Sequence, residues 1–336
     1  MKPTPVIFLL ILSLLCAVFA QTSSQQQDDD VIRVETDVTN LPFTATDKGN
    51  RFITTLQESD IRVLEDGVAQ QLFTFQRETD RPLSIAFLID ISISEERTLP
   101  EEKRAARSFI ETIIQSKKDQ AAIIPFSGSA FLEQGLTRDV FAIYRALERV
   151  EVAQPSYLGS GRPLTGITSG PGMKRPPQEG STAIWEAIAL TASEVLAKSP
   201  VQRRRAIILL TDGRDTTSRL RDTEAIDAAL YEETIIYAIG IGDSKYEGVD
   251  RDTLRTVAER TGGRAFFPKK DVDLSAVFKE IEQELRTQYL IAYSSTNKNR
   301  NGAYRQIQIE VTNPALQKDK LKLRYRPGYF AKPLGH

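Results

Sequence analysis

A series of short apolar segments, alternating with helical patterns from residue 83 onwards, constrains the fold more than any other feature. The clearest segments are apolar at nearly every position and span 83–89, 121–126, 205–211 and 234–241. Strands that are apolar on both faces are typical of a parallel sheet covered by helices on both sides. The sequence therefore predicts a doubly wound α/β fold with a mostly parallel central sheet, in which ligands bind beyond the carboxyl ends of the strands.

Helical patterns separate these strands, with apolar residues recurring every three or four positions, as on one face of an amphipathic helix. Thr98-Leu99-Pro100-Glu101 resembles a capping box, which predicts that Thr98 caps the first helix. The run Arg203-Arg204-Arg205 is interpreted as a solvated strand entrance, with a polyanion patch as the alternative. Helices are predicted over 183–197, 223–232 and 252–260, with further apolar stripes at 106–114, 140–147 and 274–285.

Two segments of a different style flank this α/β region, which spans 81–286. Residues 31–80 and 287–332 alternate polar and apolar positions between polar turns, which predicts antiparallel strands. We expect the two segments to pair with each other as a small flanking antiparallel β subdomain. Residues 154–180 are rich in Gly and Pro, and predict a long loop or insertion within the α/β domain.

The first twenty residues have the composition of a targeting segment. Lys2 precedes an apolar run that ends in Val18-Phe19-Ala20, a small-x-small cleavage site. The run is too short for a membrane span and predicts a secretory signal peptide at 1–20, followed by a flexible polar tether at 21–30. We therefore expect a periplasmic or secreted protein with no membrane span after cleavage; the alternative is an uncleaved N-terminal anchor.

The low counts of cysteine and histidine limit the kinds of site that the protein can form. The single cysteine is Cys16, inside the predicted signal peptide, and the single histidine is His336, the last residue. Disulfides and thiolate metal sites are therefore excluded from the mature protein, and the terminal position of the histidine argues against a Ser-His-Asp mechanism. Any metal site must use oxygen ligands, which favours Mg²⁺, Mn²⁺ or Ca²⁺. The formal net charge of −1 gives no indication of nucleic-acid binding.

Oxygen-bearing side chains lie at the ends of predicted elements. In Asp90-Ile91-Ser92-Ile93-Ser94, alternate side chains of an extended or tightly curved segment converge on one point after the first strand. Thr182 opens a helix after the insertion, and Asp212 ends the central strand. Carboxylates and hydroxyls suit a small divalent cation. The alternative is that the serines satisfy loop backbone groups and that Asp212-Gly213 is a plain turn.

Together, these stretches and the strand–helix order resemble the von Willebrand factor type A domain, also called the integrin I-domain. The flanking β segments look like a bacterial subgroup known from Acidobacteria, whose von Willebrand-type domain is extracytoplasmic. The resemblance implies a metal-ion-dependent adhesion site for Mg²⁺ or Mn²⁺, with Ca²⁺ as a further candidate. It implies that Ser92, Ser94 and Thr182 bind through hydroxyls and that Asp90 and Asp212 act largely through water. One coordination position then stays open for a carboxylate of a partner protein.

Three residues in the motif region complicate this interpretation. Many family members have Gly at the position of Ile93, and a branched side chain there restricts the loop. Glu95 and Glu96 lie just beyond the motif. They either supply extra charge to the site or cap the next helix.

Other polar residues near the motif have simpler interpretations. Thr182 also fits an N-cap of its helix, a role compatible with metal binding. Asp215 and Asp243 are interpreted as solvated turn residues rather than ligands. Trp185 is interpreted as a core residue.

Three functions are consistent with these features. The first is a metal-ion-dependent binding or adhesion module that engages a protein carboxylate of an envelope or matrix partner. The second is a structural module whose metal site is vestigial. The third is a Mg²⁺-dependent phosphoesterase, which would require a second Asp where this chain has Ser92, and for which no base is visible. The sequence favours the non-enzymatic binding module.

Overall fold

A computed structural model describes residues 38–115, 117–153, 162–163, 181–241, 249–268 and 271–333. The predicted signal peptide, the tether, Asp243 and nearly all of the predicted insertion lie outside the described residues. The described strands, in chain order, are β1 (Val38–Thr46), β2 (Ile61–Glu65), β3 (Val68–Ala69), β4 (Leu72–Glu78), β5 (Leu83–Asp90), β6 (Gln120–Phe126), β7 (Phe131–Leu132), β8 (Gln134–Thr137), β9 (Arg162–Pro163), β10 (Arg204–Thr211), β11 (Thr234–Gly240), β12 (Arg264–Phe266), β13 (Gln288–Ser294), β14 (Tyr304–Val311), β15 (Lys322–Arg324) and β16 (Gly328–Phe330).

Seven α-helices lie in the described residues. They are α1 (Leu99–Ile113), α2 (Val140–Arg149), α3 (Ile184–Leu190), α4 (Asp222–Tyr231), α5 (Arg251–Arg260), α6 (Asp271–Arg286) and α7 (Pro314–Lys318). The helix predicted over 183–197 is α-helical only in its first half, and continues as a wider π turn (Thr191–Val195) and a 3₁₀ turn (Leu196–Lys198). None of these helices combines the length and apolar character that a membrane crossing needs.

The centre of the fold is a six-stranded sheet of order β12-β11-β10-β5-β6-β8. All neighbours in it are parallel except β6 and β8. The apolar side chains of β5 alternate between its two faces. Ile85 and Phe87 contribute to the core under α1, α2 and α6, whereas Ala86 and Leu88 contribute to the core under α3, α4 and α5. Each fully buried large side chain contributes about 1.5–3 kcal/mol. The predicted doubly wound α/β class is confirmed.

The two flanking segments pair with each other, as predicted. One four-stranded sheet has the order β15-β1-β13-β4, and another has the order β16-β14-β2-β3. In the first, β1 is antiparallel to β13, with Leu41 opposite Ile291. In the second, β2 is antiparallel to β14, with Val63 opposite Ile309. These four residues lie in one shared apolar core, so each segment buries the other.

The arginine run at the start of β10 is buried, and its prediction as a solvated strand entrance is wrong. Arg203 donates to the carbonyl of Leu83 at 2.6 Å. Arg204 donates to the carbonyl of Leu285 in the last turn of α6, and Arg205 donates to the carbonyl of Ser199 at 2.6 Å. The three guanidinium groups therefore satisfy carbonyl groups that would otherwise be buried without donors at the amino edge of the sheet.

Candidate metal centre

Two predicted carboxylates meet where neighbouring parallel strands end. Asp90 is the last residue of β5, and Asp212 directly follows β10. The hydroxyl of Thr211, the last residue of β10, donates to Asp90 Oδ2 at 2.6 Å and fixes that carboxylate. One carboxylate oxygen each from Asp90, Asp212 and Glu95 lies within 4.8 Å of the other two. The strand ends therefore form an acidic group at the carboxyl edge of the sheet.

The two motif serines converge on Asp90 through a tight turn. The backbone N–H of Ser92 donates to Asp90 Oδ1 at 2.9 Å. The Ser92 and Ser94 hydroxyl oxygens lie 2.9 Å apart. Ile93–Glu95 forms a 3₁₀ turn in which the N–H of Glu95 donates to the carbonyl of Ser92 at 3.0 Å. The segment is tightly curved, and its two hydroxyls are adjacent.

Ile93 does not distort this turn. Its side chain is 50% exposed, so it points away from the acidic group. Among the described non-glycine residues, positive φ occurs at Asn50, Asp66, Glu233 and Lys320, and not at Ile93. Glycine is therefore not required for the backbone conformation at this position.

Thr182 lies on an adjoining loop at the same edge of the sheet. Its backbone N–H donates to the Thr216 hydroxyl at 2.8 Å, and its carbonyl accepts from the N–H of Thr216 at 2.9 Å. The next residue, Ala183, donates to the carbonyl of Ser127, which follows β6, at 2.7 Å. These contacts hold buried Thr182 between the loops that follow β6 and β10. The assignment of Asp90, Ser92, Ser94, Thr182 and Asp212 as metal ligands stays a prediction.

The start of α3 corrects two interpretations. Its N-cap residue is Ala183 without a side-chain cap, so Thr182 is not the N-cap. Asp215 takes that role from outside the helix, because its Oδ1 accepts from the N–H of Ile184 at 2.8 Å. Asp215 is half-buried and is not a solvated turn residue. Trp185 is buried in the core, as predicted.

Glu95 and Glu102 are buried beside Asp90. Sequence reasoning left two roles open for Glu95 and did not identify Glu102. Both are at most 1% exposed. Thr98 makes no cap bond to α1, contrary to the predicted capping box, and instead donates its hydroxyl to Glu95 Oε2 at 2.5 Å. For Glu102 a sequence signal exists, since it shares the face of α1 that carries Ala106 and Phe109.

Burial in this group favours either protonation of the carboxyl groups or a bound cation. Burial raises the pKa of Asp90 to about 6, although the hydrogen bond from Thr211 lowers it. Burial also raises the pKa of Glu95 and Glu102, and repulsion by neighbouring carboxylates adds to the effect at Glu95. Buried carboxylates stay ionised only beside positive charge. Because the donors are carboxylates and hydroxyls, they fit a hard divalent cation.

Fold and site together define a doubly wound α/β protein with a group of acidic side chains at the carboxyl edge of its central sheet. Two family models, both described as the von Willebrand factor type A domain, match residues 85–214 and 173–284. The protein is therefore a von Willebrand factor type A domain protein. A search of curated proteins gives no match.

Solved structures with a similar fold include proximal thread matrix protein 1 from the mussel byssus with a zinc-occupied MIDAS motif. It is 18% identical, with coverage of 66% of this chain and 50% of the mussel protein, and a TM-score of 0.50. BatB from Bacteroides thetaiotaomicron is 19% identical, with coverage of 61% and 100% and a TM-score of 0.44. A von Willebrand factor type A protein from Catenulispora acidiphila is 14% identical, with coverage of 89% and 74% and a TM-score of 0.49. The chain spans about half the length of the mussel protein.

Proposed function

We propose that this protein is a metal-ion-dependent binding module that engages a carboxylate of a partner protein. The observation that carries the proposal is the convergence of Asp90, Asp212 and Glu95, with one carboxylate oxygen each within 4.8 Å. Paired hydroxyls from Ser92 and Ser94 lie on the turn that joins Asp90 to Glu95. A bound divalent cation supplies a Lewis-acid site to which an acidic side chain can coordinate.

The chain's own residues have distinct roles in this proposal. Asp90 is buried and is oriented by Thr211, so it provides a fixed charge beneath the cation. Ser94 lies at the surface and Asp212 is half-exposed, which leaves the solvent side of the site open to a partner. Mg²⁺ and Mn²⁺ are the first candidate ions and Ca²⁺ the next. The zinc in the mussel protein's MIDAS motif adds Zn²⁺ to the ions to be compared.

Binding, rather than catalysis, fits the residue types of the mature chain. Its only histidine is the last residue, and its only cysteine lies in the predicted signal peptide. The usual general base and the usual nucleophilic thiol are therefore missing from the described residues. We place the binding event outside the cytoplasm, in the periplasm or the medium, because the predicted signal peptide precedes the folded region. The partner is then a protein of the envelope or its surroundings.

The test is capture of proteins from envelope and culture-medium extracts on the immobilised chain, with Mg²⁺ and with a chelator. We expect capture that requires the ion, that is lost in the Asp90→Ala/Ser92→Ala variant, and that is abolished when carboxylates of the extract proteins are amidated with a carbodiimide. Asp80→Asn is the matched control, because Asp80 is 90% exposed and precedes β5 at the opposite edge of the sheet. Identical capture in every condition would contradict the proposal.

A further inference from the structure

Glu95 lies inside the candidate metal centre, although it is not one of the five residues that the sequence predicts as metal ligands. The 3₁₀ turn Ile93–Glu95 carries it back towards Asp90. One of its carboxylate oxygens lies within 4.8 Å of oxygens of both Asp90 and Asp212. The side chain is fully buried, whereas the next acid, Glu96, is exposed. The backbone thus separates two consecutive glutamates into one that faces the site and one that faces solvent.

The buried carboxylate of Glu95 is only half satisfied. Its Oε2 accepts the Thr98 hydroxyl at 2.5 Å. Its Oε1 has no hydrogen-bond partner among the described residues. Burying an unsatisfied polar oxygen costs about 1–3 kcal/mol, and more if the group is charged. Holding Thr98 in place therefore accounts for one oxygen of Glu95 and leaves the other without a role.

Glu102 is a second buried glutamate whose oxygens lack hydrogen-bond partners among the described residues. Both of its carboxylate oxygens are buried without a hydrogen bond of acceptable geometry, although Thr98 and Glu95 lie close to it. Three buried acids, Asp90, Glu95 and Glu102, therefore lie close enough to interact electrostatically. A divalent cation satisfies several facing carboxylate oxygens at once. A carboxylate behind the direct ligands commonly orients them and strengthens binding.

We propose that Glu95 is a third carboxylate ligand of the divalent cation, added by this chain to Asp90 and Asp212, with Glu102 supporting it from behind. This inference rests on the proposed function, since it requires that the site bind an ion. The affinity of the chain for the ion therefore depends on Glu95, because ligand charge sets affinity in oxygen sites.

The experiment is isothermal titration of the full chain, first freed of metal with a chelator, with MgCl₂, MnCl₂, CaCl₂ and ZnCl₂, together with thermal unfolding with and without each ion. The variants are Glu95→Gln, which keeps the shape and removes the charge, and Asp90→Asn. Glu96→Gln is the matched control, because it removes a charge one residue away that faces solvent. We expect Glu95→Gln to weaken ion binding at least about tenfold, the smaller loss seen when supporting groups of metal sites are removed, and Glu96→Gln to change it less than about twofold.

A second readout separates ligation from a purely structural role. With chelator present, Glu95→Gln should raise the unfolding temperature, because it removes an acid that Glu102 and Asp90 repel; a structural link to Thr98 predicts no change, because the Gln amide oxygen still accepts the Thr98 hydroxyl. If Glu95→Gln binds ions like the wild type while Asp90→Asn does not, the role of Glu95 is refuted and the proposed function stands. If the wild-type chain binds none of the ions, both are refuted.

Discussion

Glu284 is a buried acid far along the chain from the metal-centre residues. It lies on α6 with 1% of its surface exposed. Its Oε2 has no hydrogen-bond partner among the described residues, and the same holds for the Tyr237 hydroxyl. Burial raises the pKa of Glu284, and the nearby Arg324 and Arg264 oppose that rise. The folded protein therefore keeps this proton at a pH at which the unfolded chain has released it.

This carboxyl predicts a pH-dependent stability. Because its folded pKa lies above the ordinary 4.5, the folded state binds the extra proton, so stability falls as pH rises from 4.5 through the folded pKa. Glu284→Gln should raise the free energy of unfolding by about 1 kcal/mol at pH 8, and the gain should vanish near pH 4.5. Urea unfolding at both values measures it. Glu282→Gln, on the same helix but not among the charges that shift the pKa of Glu284, is the control, and an equal gain at both pH values would contradict the explanation.

Single residues are predictable from sequence only where their environment is local. Asp90, Ser92 and Ser94 lie within five consecutive residues, so their convergence follows from backbone geometry alone. The inward position of Glu95 depends on the hydrogen bond from its N–H to the carbonyl of Ser92, which no residue type signals. The buried face of α1 indicates the burial of Glu102, but the lack of a partner for its two oxygens follows only from the assembled fold.

At the scale of elements, the sequence predicts the strands but not the contacts that their side chains make with distant elements. The apolar runs that became β5, β10 and β11 follow from composition, because a strand buried on both faces needs apolar residues throughout. The arginine run at the start of β10 looks solvated in sequence because the acceptors of Arg203 and Arg204 are distant along the chain. Arg204 reaches a carbonyl of α6, and Arg203 reaches a carbonyl of β5. Only the assembled sheet brings these groups together.

The turn after β10 gives a prediction for an element boundary. Gly213 has φ +83°, and a Cβ there would lie 2.8 Å from the Leu254 side chain. Gly67, between β2 and β3, has φ +80° with nothing within 4 Å of a Cβ. Both Ala variants incur left-handed strain of about 1 kcal/mol, and Gly213→Ala adds overpacking of about 1–3 kcal/mol. Urea unfolding should show the larger loss for Gly213→Ala; equal losses would show that Leu254 moves aside freely.

At the scale of the whole molecule, the chain closes on itself through its two flanking segments. Glu65 at the end of β2 is 2% exposed. It accepts hydrogen bonds from the hydroxyls of Tyr293 and Tyr329, each at 2.9 Å, and pairs with Arg305 at 3.2 Å. All three partners come from the C-terminal segment. A buried charged network thus links the two flanking segments, in addition to their shared apolar core. In sequence, the two segments precede and follow the domain that carries the metal centre.

This closure predicts that one buried acid contributes to the stability of the whole described unit. Glu65→Gln should lower the free energy of unfolding by about 3–5 kcal/mol, because it leaves Arg305 buried without its counter-charge. Glu310→Gln is the matched control: it breaks the Arg62–Glu310 pair between the same two strands, where the side chains are 57% and 31% exposed, and should cost less than about 1 kcal/mol. Urea unfolding followed by tryptophan fluorescence measures both, since Trp185 lies in the α/β core and reports on the flanking sheets only if they unfold with it. A Glu65→Gln chain whose fluorescence transition stays at the wild-type midpoint would show that the flanking sheets unfold separately from the α/β domain.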